Sequence, residues 1–181
     1  MSLYILDTDI LSLYQRGHPA VYRHVTAHPA TDLAITVISV EEQLSGWYAL
    51  LRSTTRRDHL AIAYQSLADS IPFLAQFTIL AFPETAQDRF DQLATLKLNV
   101  RKMDLRIAAI ALEHHAVVVT RNLRDFQRVP GLMLRTGPSR ACTSSQHRVF
   151  ARAASMAMVH LRHGHRARLR RRKSPKTSEV F

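Results

Sequence analysis

Short runs of consecutive apolar residues alternate along this chain with longer stretches in which apolar positions recur every three or four residues. LYILD opens the series as a short apolar strand. Residues 9–16 predict a helix ended by Gly17, with Pro19 just past it. HPAVYRHVTAH (18–28) predicts a second helix, and LAITVIS (33–39), apolar and β-branched, a buried strand. VEEQLSGWYALLRS follows with Leu44, Trp47, Leu50 and Leu51 at helical spacing. Residues 56–77 continue as a long amphipathic helix or hairpin, broken near Pro72. FTILAF (77–82) reads as a strand, and residues 84–98 as a helix carrying Phe90, Leu93 and Leu96. MDLRIAAIALEHH (103–115) is a helix with Asp104 in its first turn, and AVVVT (116–120) a strand. This βα alternation predicts a parallel sheet with helices on both faces. There is no internal repeat.

Composition adds a boundary. The apolar fraction is 46%, enough for one domain with a sizeable core. The net charge of +11 is not spread evenly. Residues 1–134 hold 13 Lys and Arg against 13 Asp and Glu, while residues 135–181 hold the other 12 against Glu179 alone. A domain over 1–134 and a basic C-terminal extension over 135–181 are expected. The extension begins with the loop-like RTGPSRACTSSQH, includes a possible helix over 148–163, and ends in a basic run of the kind that attracts polyanions. No apolar run approaches a membrane span, and no basic stretch followed by a long apolar segment opens the chain. With a lone cysteine, Cys142, these features favour a cytoplasmic protein with no membrane.

Four acids fall at significant places on this map. Asp7 ends the first strand, Glu42 lies in the first turn of the helix after the second, Asp104 begins a helix, and Asp125 follows the strand ending at Thr120. Ligands of open α/β sheets collect beyond the carboxyl ends of the strands. Carboxylates gathered there repel one another, and a hard cation relieves the repulsion. Mg²⁺, which takes oxygen ligands and keeps several waters, suits such a cluster.

The stretches LDTDILS (6–12), ISVEEQLSGW (38–47), MDLRIAAIALEH (103–114) and TRNLRDF (120–126) make the chain resemble the PIN-domain ribonucleases, above all the VapC-type toxins of toxin–antitoxin pairs. The resemblance spans nearly all of residues 1–134 and is specific when the motifs are taken together. It implies a three-layer α/β/α fold around a mostly parallel sheet. It implies Asp7, Glu42, Asp104 and Asp125 as the metal-binding and catalytic acids, with Thr120 and Asn122 in support; Asp9, from its place in the sequence, reads as a cap or a supporting residue rather than a ligand. Glu42 rather than Glu41 matches, because it precedes Gly46 by four. The implied activity is cleavage of RNA with Mg²⁺ or Mn²⁺. The implied partners are a VapB-type antitoxin, which inserts a segment into the cleft, and a second copy in a homodimer. Residues 135–181 have no counterpart in the resemblance; an added extension and out-of-frame read-through both fit them.

Other readings compete. Asp7, Asp9 and Asp104 are also good helix caps, and Glu41 suits a solvated helix start. Arg101, Lys102, Arg106, Arg121 and Arg124 flank the acids, as a solvated rim or as a rim that grips phosphate. LDTDIL alone also fits a haloacid dehalogenase-type phosphatase, but the downstream Gly-Asp pair of that chemistry is missing. A PIN-like module that binds RNA or a partner without cutting is the alternative to a nuclease, and retention of all four carboxylates argues against it.

Overall fold

The computed structural model describes residues 2–137; the segment 148–163, whose sequence could form a helix, lies outside them. Five parallel strands form one sheet: β1 (Tyr4–Leu6), β2 (Leu33–Thr36), β3 (Thr78–Leu80), β4 (Val117–Thr120) and β5 (Met133–Thr136), in the order β3-β2-β1-β4-β5. Between them run α1 (Thr8–Gln15), α2 (Pro19–Thr26), α3 (Val37–Ser53), α4 (Arg57–Leu74), α5 (Glu84–Thr95), α6 (Lys102–Glu113) and α7 (Leu123–Phe126), with a short 3₁₀ turn at Ala30–Asp32.

Side-chain alternation along the strands divides the core in two. Ile5, Ala34 and Val118 face one side and pack with Leu93 of α5, Leu105 and Ile107 to Ala111 of α6 and Phe126 of α7. Leu6, Leu33 and Ile35 face the other side and pack with Ile10 and Leu11 of α1, Val21 and Val25 of α2 and Leu74 of α4. The result is the three-layer α/β/α arrangement expected from the sequence. In α6, the alanines at 108, 109 and 111 are fully buried. Without bulky side chains there, this helix can approach its neighbours closely. Gly17, at φ 71°, ends α1, and the following His18 N–H closes back onto the Leu13 carbonyl at 2.9 Å.

Several boundaries differ from expectation. The strand read over 33–39 stops at Thr36, and Val37–Ser39 begin α3. The buried Thr36 hydroxyl accepts from the Ser39 N–H at 3.1 Å, and this cap outweighs the strand preference of the β-branched run. Glu42 therefore lies in the second turn of α3, not the first. Pro72 does not break α4, which continues to Leu74; only the last turn has to do without its N–H. Two elements were not anticipated. One is α7, directly after TRN. The other is β5, which crosses the boundary expected at Leu134 and places Arg135 and Thr136 in the sheet. No helix among the described residues is long and apolar enough to cross a membrane.

Candidate active site

The chain builds the sheet outward from β1 in two directions, first to β2 and β3, then across to β4 and β5. The switch of direction lies between β1 and β4, and in such sheets it opens a crevice beyond the strand ends. Asp7 follows the end of β1, and Thr120 ends β4 beside it.

Asp7 is 6% exposed. Its N–H continues the ladder to the Val119 carbonyl at 3.0 Å. One carboxylate oxygen caps α1 by accepting from the Thr8 N–H at 2.8 Å, and the other accepts the Thr120 hydroxyl at 2.8 Å. The carboxylate that caps α1 thus also binds the end of β4 through Thr120. Thr120 is oriented in turn by the Asn122 N–H, 2.9 Å from its hydroxyl oxygen. The Asn122 side-chain amide then donates to both Asp104 (3.2 Å) and Asp125 (3.0 Å). Asp7, Thr120, Asn122, Asp104 and Asp125 therefore form one continuous hydrogen-bonded group. Glu42 joins from α3 and accepts the Thr8 hydroxyl.

Electrostatics mark the two buried acids. Burial, reinforced by the charge of Asp104, raises the Asp7 carboxyl from 3.8 to about 6, against the opposing bonds from Thr120 and Thr8. Burial also raises Asp104, with Asp125 adding to the effect and Arg101 opposing it. At both acids burial thus outweighs the surrounding hydrogen bonds, and the charge of a neighbouring carboxylate adds to it.

The flanking cations separate into groups. Arg101, the residue before α6, holds both carboxylate oxygens of Asp104, with Nε 3.0 Å from Oδ2 and Nη2 3.3 Å from Oδ1. Arg121 grips Asp9 through two nitrogens, so Asp9 is an ion-pair partner. Lys102 and Arg124 are exposed. Arg106 does not belong to the rim. Two residues beyond Asp104 is about 200° around a helix, and Arg106 packs instead over Phe82 and Phe90, 5.9 and 5.7 Å from their ring centres. Glu41 is exposed. Sequence reasoning passed over Thr8, although it stands inside the quoted LDTDILS. It also missed a cleft of about 290 Å³ beside Glu42, lined by Thr8, Ser12, Gln43, Gly46, Trp47 and Leu50.

Among the described residues, no three Asp, Glu, His or Cys side chains lie close enough, as oriented, to hold one ion. The donor set nevertheless fits a hard divalent cation. It is all oxygen, two of its carboxylates are buried and mutually repelling, and Asp104 already binds a cationic group, that of Arg101.

The PIN domain family model matches residues 4–132. Ribonuclease VapC2 of Rickettsia felis is 28% identical over 137 residues, which cover 73% of this chain and 96% of that protein. The crystal structure of VapBC2 from Rickettsia felis, bound to a DNA fragment from its promoter, aligns with a TM-score of 0.59 at 27% identity, over 75% of this chain and 99% of that one. The DNA-bound VapBC of Salmonella typhimurium has the same fold, with a TM-score of 0.63 at 23% identity over 75% of this chain and 98% of that one.

Proposed function

The chain belongs to the PIN-domain family, and from that premise we propose that it is a metal-dependent endoribonuclease, the toxin of a VapBC-type toxin–antitoxin pair acting in the cytoplasm. The observation that carries this reading is the single hydrogen-bonded group at the strand switch point, which ties Asp7, Asp104 and Asp125 together with Glu42 at its edge. A ribonuclease relative matched over 96% of its length supports the substrate class.

Asp7, Asp104, Glu42 and Asp125 would hold Mg²⁺ or Mn²⁺, partly through water. Such an ion supplies a more acidic water and neutralises charge building on a phosphodiester. The protein's own part is positional. Thr120 and Asn122 fix the orientations of Asp7, Asp104 and Asp125, and Thr8 fixes Glu42. Lys102 and Arg124 are exposed cations on elements next to the acids, suited to phosphate oxygens. No side-chain nucleophile is required.

The antitoxin reading rests on the VapBC relatives. Tyr48 and Leu50 of α3 and Ile62, Tyr64 and Ile71 of α4 are exposed, on more than one side of their helices. Exposed large apolar side chains of this kind suit a partner, and a VapB-type segment and the second subunit of a homodimer would cover them.

The test is incubation of the purified protein with cellular RNA, with and without EDTA, followed by mapping of the new 5′ ends. Discrete cuts that vanish with EDTA are expected. Tight RNA binding without cuts under any metal would replace this reading with that of a non-cleaving module.

A further inference from the structure

Arg101 occupies Asp104 as a cation would. Its guanidinium spans both carboxylate oxygens, and Asn122 takes a further position on Oδ2. Few acceptor sites on Asp104 remain for anything else. The two partners differ greatly in exposure: the Arg101 side chain is 74% exposed and that of Asp104 5%. The buried acid is fixed by its surroundings, whereas the arginine reaches it from solvent on a long flexible stem. The charge of Arg101 is also felt by Asp125 and Glu42, so it lies within the field of three of the four acids.

We infer that Arg101 is a built-in competitor for the metal site, and that a divalent ion binds Asp104 only as the guanidinium leaves it. The inference rests on the metal-site reading above and goes further, assigning a role to a residue outside the carboxylate set. With its own side chain largely exposed, the guanidinium can leave Asp104 for water, so the competitor lowers metal affinity without closing the site.

The competition is separable from a general effect of charge. Arg101→Gln removes the charge and the two-pronged grip together. Arg101→Lys keeps the charge but loses the planar fork that spans both oxygens. Lys102→Gln removes a neighbouring positive charge that makes no bond to Asp104. None of these changes disturbs the helix start, because the Arg101 side chain does not cap α6; its carbonyl does the structural work by accepting from the Leu105 N–H at 2.9 Å.

Mn²⁺ binding to the full chain, followed by calorimetry and by the paramagnetic resonance of free Mn²⁺, decides between them. Arg101→Gln and Arg101→Lys should both tighten Mn²⁺ binding, by about five- to tenfold, the scale of one charge-assisted hydrogen bond at a partly exposed site. Lys102→Gln should change it less than about twofold. If Arg101→Lys binds as the wild type does while Arg101→Gln and Lys102→Gln are equally tighter, only the field matters and the inference is overturned. If the wild type binds no Mn²⁺ but both Arg101 variants do, Arg101 excludes the ion outright and the inference holds. If none of them binds, the metal-site reading falls, and the competitor with it.

Discussion

The Thr8 hydroxyl donates to a carboxylate oxygen of Glu42, joining residues 34 positions apart in the sequence. Thr8 directly follows Asp7, whose carboxylate accepts the Thr8 N–H. One residue therefore bonds to two of the four acids, through its backbone to one and through its side chain to the other. A carboxylate on the second turn of a helix has several rotamers, and this bond selects among them.

Thr8→Val keeps the shape and deletes the hydroxyl, so it should lower kcat by about tenfold, the value of a hydrogen bond to a charged group. Thr8→Ser restores the donor and should recover most of the loss. KM for RNA should move little in either variant. Equal damage from the two substitutions would show that packing, not the bond to Glu42, is what matters.

Asp7→Asn tests the acids through stability as well as activity. The folded-state value of Asp7, about 6, lies above the 3.8 of an unperturbed Asp. Without metal, the stability associated with the protonated form is complete below about pH 4 and is lost as pH rises through about 6. The wild type should therefore lose on the order of 2–3 kcal/mol across that window relative to Asp7→Asn, which does not titrate. The altered bond to Thr120 is common to both ends of the window and cancels in the comparison. Melting temperatures of the two proteins in EDTA, near pH 4 and near pH 7.5, give the result. Parallel pH curves would mean that Asp7 is not held against its charge. Millimolar Mg²⁺ should raise the melting temperature of the wild type at the higher pH and leave Asp7→Asn unmoved.

Glu41 and Glu42 separate the register of α3. Neighbours on a helix point about 100° apart, and Glu41 is exposed while Glu42 reaches Thr8. Glu42→Gln should reduce cleavage by at least about a hundredfold, the scale on which losing one electrostatic group in a catalytic site is felt. Glu41→Gln should cleave as the wild type does. Single-turnover rates on a defined RNA measure both.

What the sequence disclosed follows from how local each signal is. β1, α6 and β4 were legible because their apolar residues are consecutive or strictly periodic, and Asp7 and Asp104 because an acid at the edge of such a run is conspicuous. The β2–α3 junction was not, since ITVIS favours a strand locally while the Thr36 cap is expressed only once the chain has turned. β5 was hidden for a different reason. It is a four-residue edge strand with mostly exposed side chains, so MLRT lacks the apolar signature of a central strand. Arg106 was grouped with the acids on nearness in sequence, which helix phase overrules. The bonds from Thr8 to Glu42 and from Arg121 to Asp9 span 34 and 112 residues, and only the sheet order brings those partners together.

The fifth strand alters where the chain can be cut. The Gly137 N–H donates to the Thr120 carbonyl at 2.9 Å, and Thr120 holds Asp7. Gly137 also lies so close to Ile10 that an added Cβ would fall 2.2 Å from its Cδ1. Ending the chain at Leu134 removes half of β5 together with this contact, and should cost about 1–3 kcal/mol through unpaired backbone groups and lost packing. A chain ending at Gly137 should melt cooperatively and cleave RNA at the same sites as the full chain. Residues 138–181 hold eleven Lys and Arg against one Glu. Each phosphate they neutralise releases counterions, so the full chain should bind RNA more tightly at low salt, with a steeper dependence of log affinity on log salt. Phosphate contacts carry no direct sequence information, which is why the cutting sites should not change. Melting, salt-dependent binding and 5′-end mapping of the three chain lengths check each step. A chain ending at Gly137 that fails to fold would make residues beyond it part of the domain. Altered cutting sites would make those residues part of substrate choice.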